Sequence, residues 1–267
     1  MSFSRKSGED PAAIGKAGGA SPAGEGSRTT GAGERPVLLL LAGLLCDETV
    51  WHGVAAHLAD IVDVRFFSFP DHRSIPAMAE QVLAHAPGRF ALAGHSMGGR
   101  VALELFRQAP QRVDRLALLN TGVRPLKDGE TAGRAELVEL ARSAGLAALA
   151  DAWLPPMMSE RGRADRELME RLRAMILRAT AESFAGQVEA LLRRPDAGCV
   201  LPMIRVPLLL LSGSEDRWSP FSQHADMQAV ALHGQLVEVA GAGHMAPAEQ
   251  PAAVAAALRT WMAEPGL

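Results

Sequence analysis

Cysteine is nearly absent: Cys46 and Cys199 are the two in 267 residues. Two thiols cannot build a multi-bridge framework or a four-thiolate zinc site, so the fold must rest on its apolar core, and a reducing cytoplasm is the expected compartment. Charge of one sign is missing as well. The 27 Lys and Arg against 30 Asp and Glu leave a formal net charge of −3, which gives no global field for nucleic acid. Long apolar runs are missing too. The longest, Val37 to Leu45, is about half the 18–20 residues that span a bilayer and is interrupted by Gly43. No membrane span is expected. The first 35 residues, rich in Gly, Ala and Ser, carry neither the apolar core of a secretory signal nor any helical or strand period. They read as a disordered tail.

What remains is 48% hydrophobic and close to the globular average. After the tail, short Leu/Val-rich runs alternate with helix-period segments, the pattern of parallel strands joined by helical crossovers. Strands are expected at Val37–Leu41, Val62–Phe67, Phe90–Ala93, Leu116–Leu119, Pro207–Leu211 and Leu236–Val239. Helices are expected at Glu48–Ala59, Pro76–Ala86, Met97–Ala109, Ser222–Ala231 and Pro251–Ala263. Nearly 90 residues separate Leu119 from Pro207, far more than one crossover helix needs. An insertion over residues 122–204 is therefore expected between core segments 36–121 and 205–267. Its apolar stripes are Leu137, Leu140 and Ala144; Leu149, Trp153 and Leu154; Leu168, Leu172, Met175, Ile176 and Ala179; and Phe184, Val188 and Leu191. They predict a helical cap.

One segment carries chemistry. Gly94-His95-Ser96-Met97-Gly98 runs from an expected strand straight into an expected helix. A serine at such a turn sits on a strained backbone that exposes its Oγ, and glycines flank it because a Cβ there would collide across the turn. The helix start also points free N–H groups at the site, Met97's among them. A serine hydroxyl needs a base, and the base needs an acid to orient it. After Pro207–Leu211 comes Ser212-Gly-Ser-Glu215-Asp216, where either acid could face the crevice. After Leu236–Val239 comes Ala240-Gly-Ala-Gly243-His244. Strand ends at one edge of a parallel sheet share a crevice, so these residues can meet there.

The order Ser96, Asp216, His244 and the loops that hold them resemble the α/β-hydrolase family. That resemblance implies a mostly parallel, doubly wound sheet with an inserted helical cap, and it favours Asp216 over Glu215. It makes Val37 to Leu45 the strand and oxyanion loop, with the Leu44 N–H as second donor beside Met97. Ala42 stands where the family usually has histidine. Phe69-Pro-Asp-His-Arg-Ser74 replaces a glycine-bearing loop, and the polar tail offers none of the antiparallel strands that often open the sheet.

The expected activity is hydrolysis of a carboxylic ester, lactone or thioester through an acyl-enzyme, with no cofactor and no metal. Leu45, Trp153, Met157, Met158, Met175, Phe184 and Met245 are the candidate pocket residues, and their Met and Leu content suggests a small substrate with an apolar acyl chain or ring. His95, Cys46, His52 and His57 are read as packing or helix-surface residues. The interleaved run Arg161, Arg163 and Arg166 is a solvated face that an acidic carrier protein could use. Rival readings are carbon–carbon bond hydrolysis, against which Met245 follows the base, and ligand binding without turnover.

Overall fold

The computed structural model describes residues 35–266 apart from Lys127 and Leu232. The tail expected over residues 1–35 lies, but for Arg35, outside them. Six strands form one parallel sheet: β1 (Val37–Leu41), β2 (Asp63–Phe67), β3 (Phe90–His95), β4 (Val113–Leu119), β5 (Leu208–Gly213) and β6 (Gln235–Val239), in the order β2-β1-β3-β4-β5-β6. Leu38 to Leu41, Leu208 to Leu211 and Leu116 to Leu119 have no solvent exposure. Burial on both faces explains why these strands are unbroken apolar runs rather than alternating ones. Each such leucine contributes about 1.5–3 kcal/mol.

The register aligns the carboxyl ends. Leu41 pairs with Gly94, His95 with Leu119, and Leu119 with Leu211. The loops that follow β1, β3, β4 and β5 therefore leave the sheet at one edge. The chain also reverses its direction of travel between β1 and β3, which opens a crevice where those loops diverge.

Helices fill the connections. They are α1 (His52–Ala56), α2 (Ile75–His85), α3 (Met97–Gln108), then α4 (Glu130–Trp153), α5 (Glu160–Ala164), α6 (Arg166–Leu177) and α7 (Ala181–Leu192) between β4 and β5, and finally α8 (Phe221–Ala231), α9 (Ala246–Glu249) and α10 (Pro251–Ala263). Side-chain caps start several of them: Ser74 accepts from the Ala77 N–H, Asp165 from Leu168 and Thr180 from Ser183. α1 packs against α10, and α2 against α3.

Two expectations need correction. The helix expected over Glu48–Ala59 is a 3-10 turn, Glu48–Val50, followed by the five-residue α1. The fully buried Trp51 donates its indole N–H to the Leu41 carbonyl at 3.3 Å, which ties this stretch to the end of β1 and prevents one continuous helix. In the insertion, the stripe Leu137, Leu140 and Ala144 does not run through. Ala144 is exposed, whereas Ala141 is buried and Val138 packs on the core. Gly145, at φ 84°, breaks α4 there and resets the buried face before Leu149 and Trp153. The α6 and α7 stripes, Leu168, Leu172, Met175 and Ile176, then Phe184, Val188 and Leu191, are buried as one helical face each, and α4 packs on both helices.

Candidate active site

Among the described residues, the three non-glycine residues with positive φ are Leu45, Ser96 and Asn120, at 57°, 54° and 49°. All three lie just beyond the carboxyl ends of neighbouring strands. Strained backbone of this kind costs about 1–3 kcal/mol per residue and persists only where the surroundings enforce it. At Ser96 the enforcement is visible. A Cβ on Gly94 would stand 2.3 Å from the Gly98 carbonyl oxygen, and one on Gly98 would stand 2.3 Å from the Leu41 oxygen. The strand-to-helix turn is thus packed backbone on backbone. Thr121 Oγ1 donates to the Ser96 carbonyl at 2.7 Å and fixes it from the β4 side.

Ser96 Oγ lies 2.8 Å from His244 Nε2, and His244 Nδ1 lies 2.9 Å from Asp216 Oδ2. The Asp216 carboxylate is fully engaged. Its Oδ1 accepts from the N–H groups of Trp218 and Ser219, and its Oδ2 also accepts from Asn120 Nδ2. Burial alone would raise its pKa, but the His244 charge and these donors outweigh burial and hold it well below the usual carboxylate range. It therefore stays ionised opposite the imidazole. Glu215, the other acid considered, is exposed and accepts from the Glu160 N–H at 2.8 Å.

The loop of His244 is clamped from both sides. Its N–H donates to the Met157 carbonyl at 2.7 Å, and its own carbonyl accepts from His95 Nε2 at 2.8 Å. Burial first, and the His244 charge second, lower the pKa of His95 to about 3, so His95 is a neutral ring carrying its proton on Nε2. It packs into the core as expected and also positions the loop that carries His244. Glu249 bridges the same loop to the insertion, accepting from Gly243 N–H at 2.9 Å and from Ser159 N–H at 2.8 Å.

The N–H groups of Leu44 and Met97 enter no hydrogen bond among the described residues, and both residues line the cavity above Ser96. Gly43 brings this loop against the Ser96 turn, since a Cβ there would meet His95 Nδ1 at 3.0 Å and Ser96 Cβ at 3.2 Å. With alanine at 42, the brace comes from α7. Gln187 Oε1 accepts from the Leu45 N–H at 2.9 Å, and Gln187 Nε2 donates to the Phe69 carbonyl at 3.1 Å. This one amide holds the loops after β1 and β2 together. Nothing in the sequence around Gln187 distinguishes it from any polar residue on a cap helix.

Gln187→Ala should leave a buried N–H and a buried carbonyl unpaired. The expected cost is about 1–3 kcal/mol in a urea titration. In a steady-state ester assay kcat should fall about tenfold while KM changes less than about twofold, because the displaced Leu44 donor acts only on the developing oxyanion.

A cavity of about 430 Å³ opens over Ser96 and His244, within the ordinary size of a small-molecule site. Trp153, Met157 and Phe184 line it. Leu45, Met158, Met175 and Met245 do not; each is buried in the core, where their apolar character is spent on packing. Trp218, 45% exposed, holds its ring 6.4 Å from that of His244. The cavity also contains residues that sequence periodicity did not single out: Arg100, Arg134 and Arg194, with Glu130 among them. Cys46 is buried, donates to the Leu44 carbonyl at 3.3 Å, and has its pKa pushed up to about 12 by burial.

A family model described as the alpha/beta hydrolase family matches residues 38–257. The chain is 26% identical over 229 residues, 81% of its length and 45% of the relative's, to the biotin biosynthesis bifunctional protein BioHC of Cellvibrio japonicus. It is 35% identical over 99 residues, 34% of its length and 38% of the relative's, to the pimeloyl-[acyl-carrier protein] methyl ester esterase of Nitrosomonas europaea. The chain thus spans less than half the length of these curated relatives. Among solved structures, a thermophilic esterase from Thermogutta terrifontis superposes with a TM-score of 0.78 at 29% identity, covering 86% of this chain and 90% of that one. The enol-lactonase from Burkholderia xenovorans LB400 superposes with a TM-score of 0.80 over 87% and 93%, and at 24% identity this is a likeness of fold.

Proposed function

Since this chain belongs to the α/β-hydrolase family, we propose that it hydrolyses a carboxylic ester of a small substrate through an acyl-enzyme on Ser96. The observation that carries the reading is the unbroken relay Ser96 Oγ to His244 to Asp216, at 2.8 Å and 2.9 Å, at the floor of a cavity of about 430 Å³.

Ser96 Oγ attacks the carbonyl carbon as His244 Nε2 takes its proton. The Leu44 and Met97 N–H groups hold the oxyanion, acting as preorganised donors that need no reorientation as the charge develops. Collapse of the intermediate expels the alcohol, which His244 protonates. A water molecule then attacks the acyl-enzyme with His244 again as base, and the acid leaves with Ser96 restored. Asp216 keeps the Nδ1–H tautomer, so that Nε2 presents a lone pair to the serine.

Apolar walls from Trp153, Phe184, Val188 and Leu191 accommodate the acyl part. The test is initial rate across p-nitrophenyl esters from acetate to dodecanoate, together with labelling by a fluorophosphonate. Turnover with an optimum at short or medium chains, and one label per chain on the Ser96 peptide, is the expected result. Intact, folded protein that neither turns over any ester nor takes the label would overturn the reading.

A second reading, cleavage of an ester carried on an acidic carrier protein, draws on the Nitrosomonas europaea relative and on the exposed Arg161, Arg163 and Arg166. Rates on such a substrate should drop steeply between 50 and 500 mM salt, ionic strengths at which the screening length shrinks from roughly 14 Å to about 4 Å. Rates insensitive to salt would exclude that docking face.

A further inference from the structure

The cavity above Ser96 is apolar on one side and cationic on another. Its described lining includes four guanidinium groups, of Arg100, Arg124, Arg134 and Arg194, against two carboxylates, of Asp128 and Glu130. Several of these charges are already matched. Arg194 is buried and grips Glu130 through Nη1 and Nη2 at 2.8 and 2.6 Å, and its remaining donors reach the carbonyls of Arg124, Pro125 and Leu191. Arg134 reaches the same carboxylate at 2.8 Å through Nη2 and at 2.9 Å through Nε. Arg124 turns outward to Asp226 at 3.2 Å.

Arg100 is different. It sits four residues beyond Ser96 on α3, about 6 Å further along the helix axis, and among the described residues its one hydrogen bond runs from Nη1 to the Arg124 carbonyl at 2.9 Å. No carboxylate among the described residues lies within salt-bridge distance of it. Burial, then the charge of Arg194, push its pKa down to about 9, which still leaves it protonated at neutral pH. Arg134 adds to that push, while Glu130 and Asp196 oppose it; what Arg100 offers an anion entering the cavity is N–H donors that no side chain among the described residues accepts from. A guanidinium has five N–H donors, of which Arg100 uses one among the described residues, and its fork matches a carboxylate.

We propose that Arg100, seconded by Arg134, binds a carboxylate of the substrate, so that the ester cleaved at Ser96 is a half-ester: its acyl part carries a second, free carboxylate. This rests on the hydrolytic reading above and specifies its substrate class. The apolar walls then contact the carbon backbone between the two ends. The arginines supply selectivity against neutral esters of the same length, because a neutral chain end would leave the guanidinium N–H groups of a half-buried site unpaired.

The experiment compares mono-p-nitrophenyl adipate and pimelate with p-nitrophenyl hexanoate and heptanoate. Native protein should favour the carboxylate-bearing esters by about 10- to 100-fold in kcat/KM, the size expected of a charge-assisted hydrogen-bond pair. Arg100→Gln should lose that preference through KM while hydrolysing the neutral esters within about twofold of native, which also reports that it folds. Arg100→Lys should retain part of the preference. Equal rates on both ester classes, or equal losses on both in Arg100→Gln, would overturn the proposal and leave the ester reading standing.

A binding arm is independent of turnover. Calorimetry of adipate on Ser96→Ala should show one saturable site that is lost in Ser96→Ala/Arg100→Gln. Adipate binding of this kind in a protein that hydrolyses nothing would uphold the carboxylate site while the hydrolytic reading failed. Inorganic phosphate binding there when adipate does not would overturn the carboxylate assignment.

Discussion

Ser96→Ala should lower kcat on p-nitrophenyl esters by about five to six orders of magnitude, the loss seen when the nucleophile of such a relay is removed. No other group can take over. Cys46 lies just past the oxyanion loop, but its thiol is buried and its pKa is pushed up to about 12, so no useful thiolate fraction exists at neutral pH. The Thr121 hydroxyl is committed to the Ser96 carbonyl at 2.7 Å. What survives should be the contribution of the Leu44 and Met97 N–H groups, a modest acceleration of water attack. Stability should hardly move. The φ of 54° is imposed by Gly94, Gly98 and the Leu41 carbonyl rather than by the hydroxyl, and alanine at this position inherits the same turn. A melting curve within about 2 °C of native, beside a rate loss of that size, is the expected pair of results. A residual rate within a hundredfold of native would point to a nucleophile other than Ser96.

The core and the turn that carries Ser96 were legible for the same reason: each is written in residues close together in the chain. β1, β5 and the α6 and α7 stripes are local apolar periods, and Gly94 to Gly98 is a local steric solution to one turn. That Ser96 and His244 could meet an acid from the loop after β5 followed from the rule that parallel strands end at one edge, and the choice of Asp216 over Glu215 came from the family resemblance. What escaped was long-range. Gln187 acts on Leu45 and Phe69, more than 100 residues away on either count, and only a fold can bring α7 over the end of β1. His95 holds the His244 carbonyl across 149 positions. The arginines were hidden differently. Arg134, on α4, and Arg194, just past the end of α7, read locally as solvated charges, and only the insertion's packing turns them inward. Met158, Met175 and Met245 failed in the opposite direction, because an apolar side chain fits a core as well as a pocket and nothing local separates the two.

Asp216→Asn should cost about four orders of magnitude in kcat with little change in KM, and the hydrogen bonds around the side chain say why. In the native site Oδ1 accepts from the N–H groups of Trp218 and Ser219, while Oδ2 accepts from Asn120 Nδ2 and from His244 Nδ1. An asparagine has one oxygen and one NH2 group to place there. With its oxygen toward Trp218 and Ser219, the NH2 faces His244 and donates to Nδ1, which forces the ring proton onto Nε2. His244 then offers Ser96 an N–H instead of a lone pair, and the base is lost. That NH2 also confronts Asn120 Nδ2, a donor against a donor. The opposite orientation restores the tautomer but sets the NH2 against two backbone N–H groups in a buried site, a cost of several kcal/mol. The first is the better of two poor arrangements, so the variant should fold, bind substrate and turn over slowly. The pH profile separates this from simple disorder. Raising the pH helps the variant, since hydroxide can replace the missing base, so its rate should climb tenfold per unit above about pH 8 while the native rate stays flat. A variant whose rate parallels the native profile at every pH would show that Asp216 supports the loop without setting the tautomer of His244.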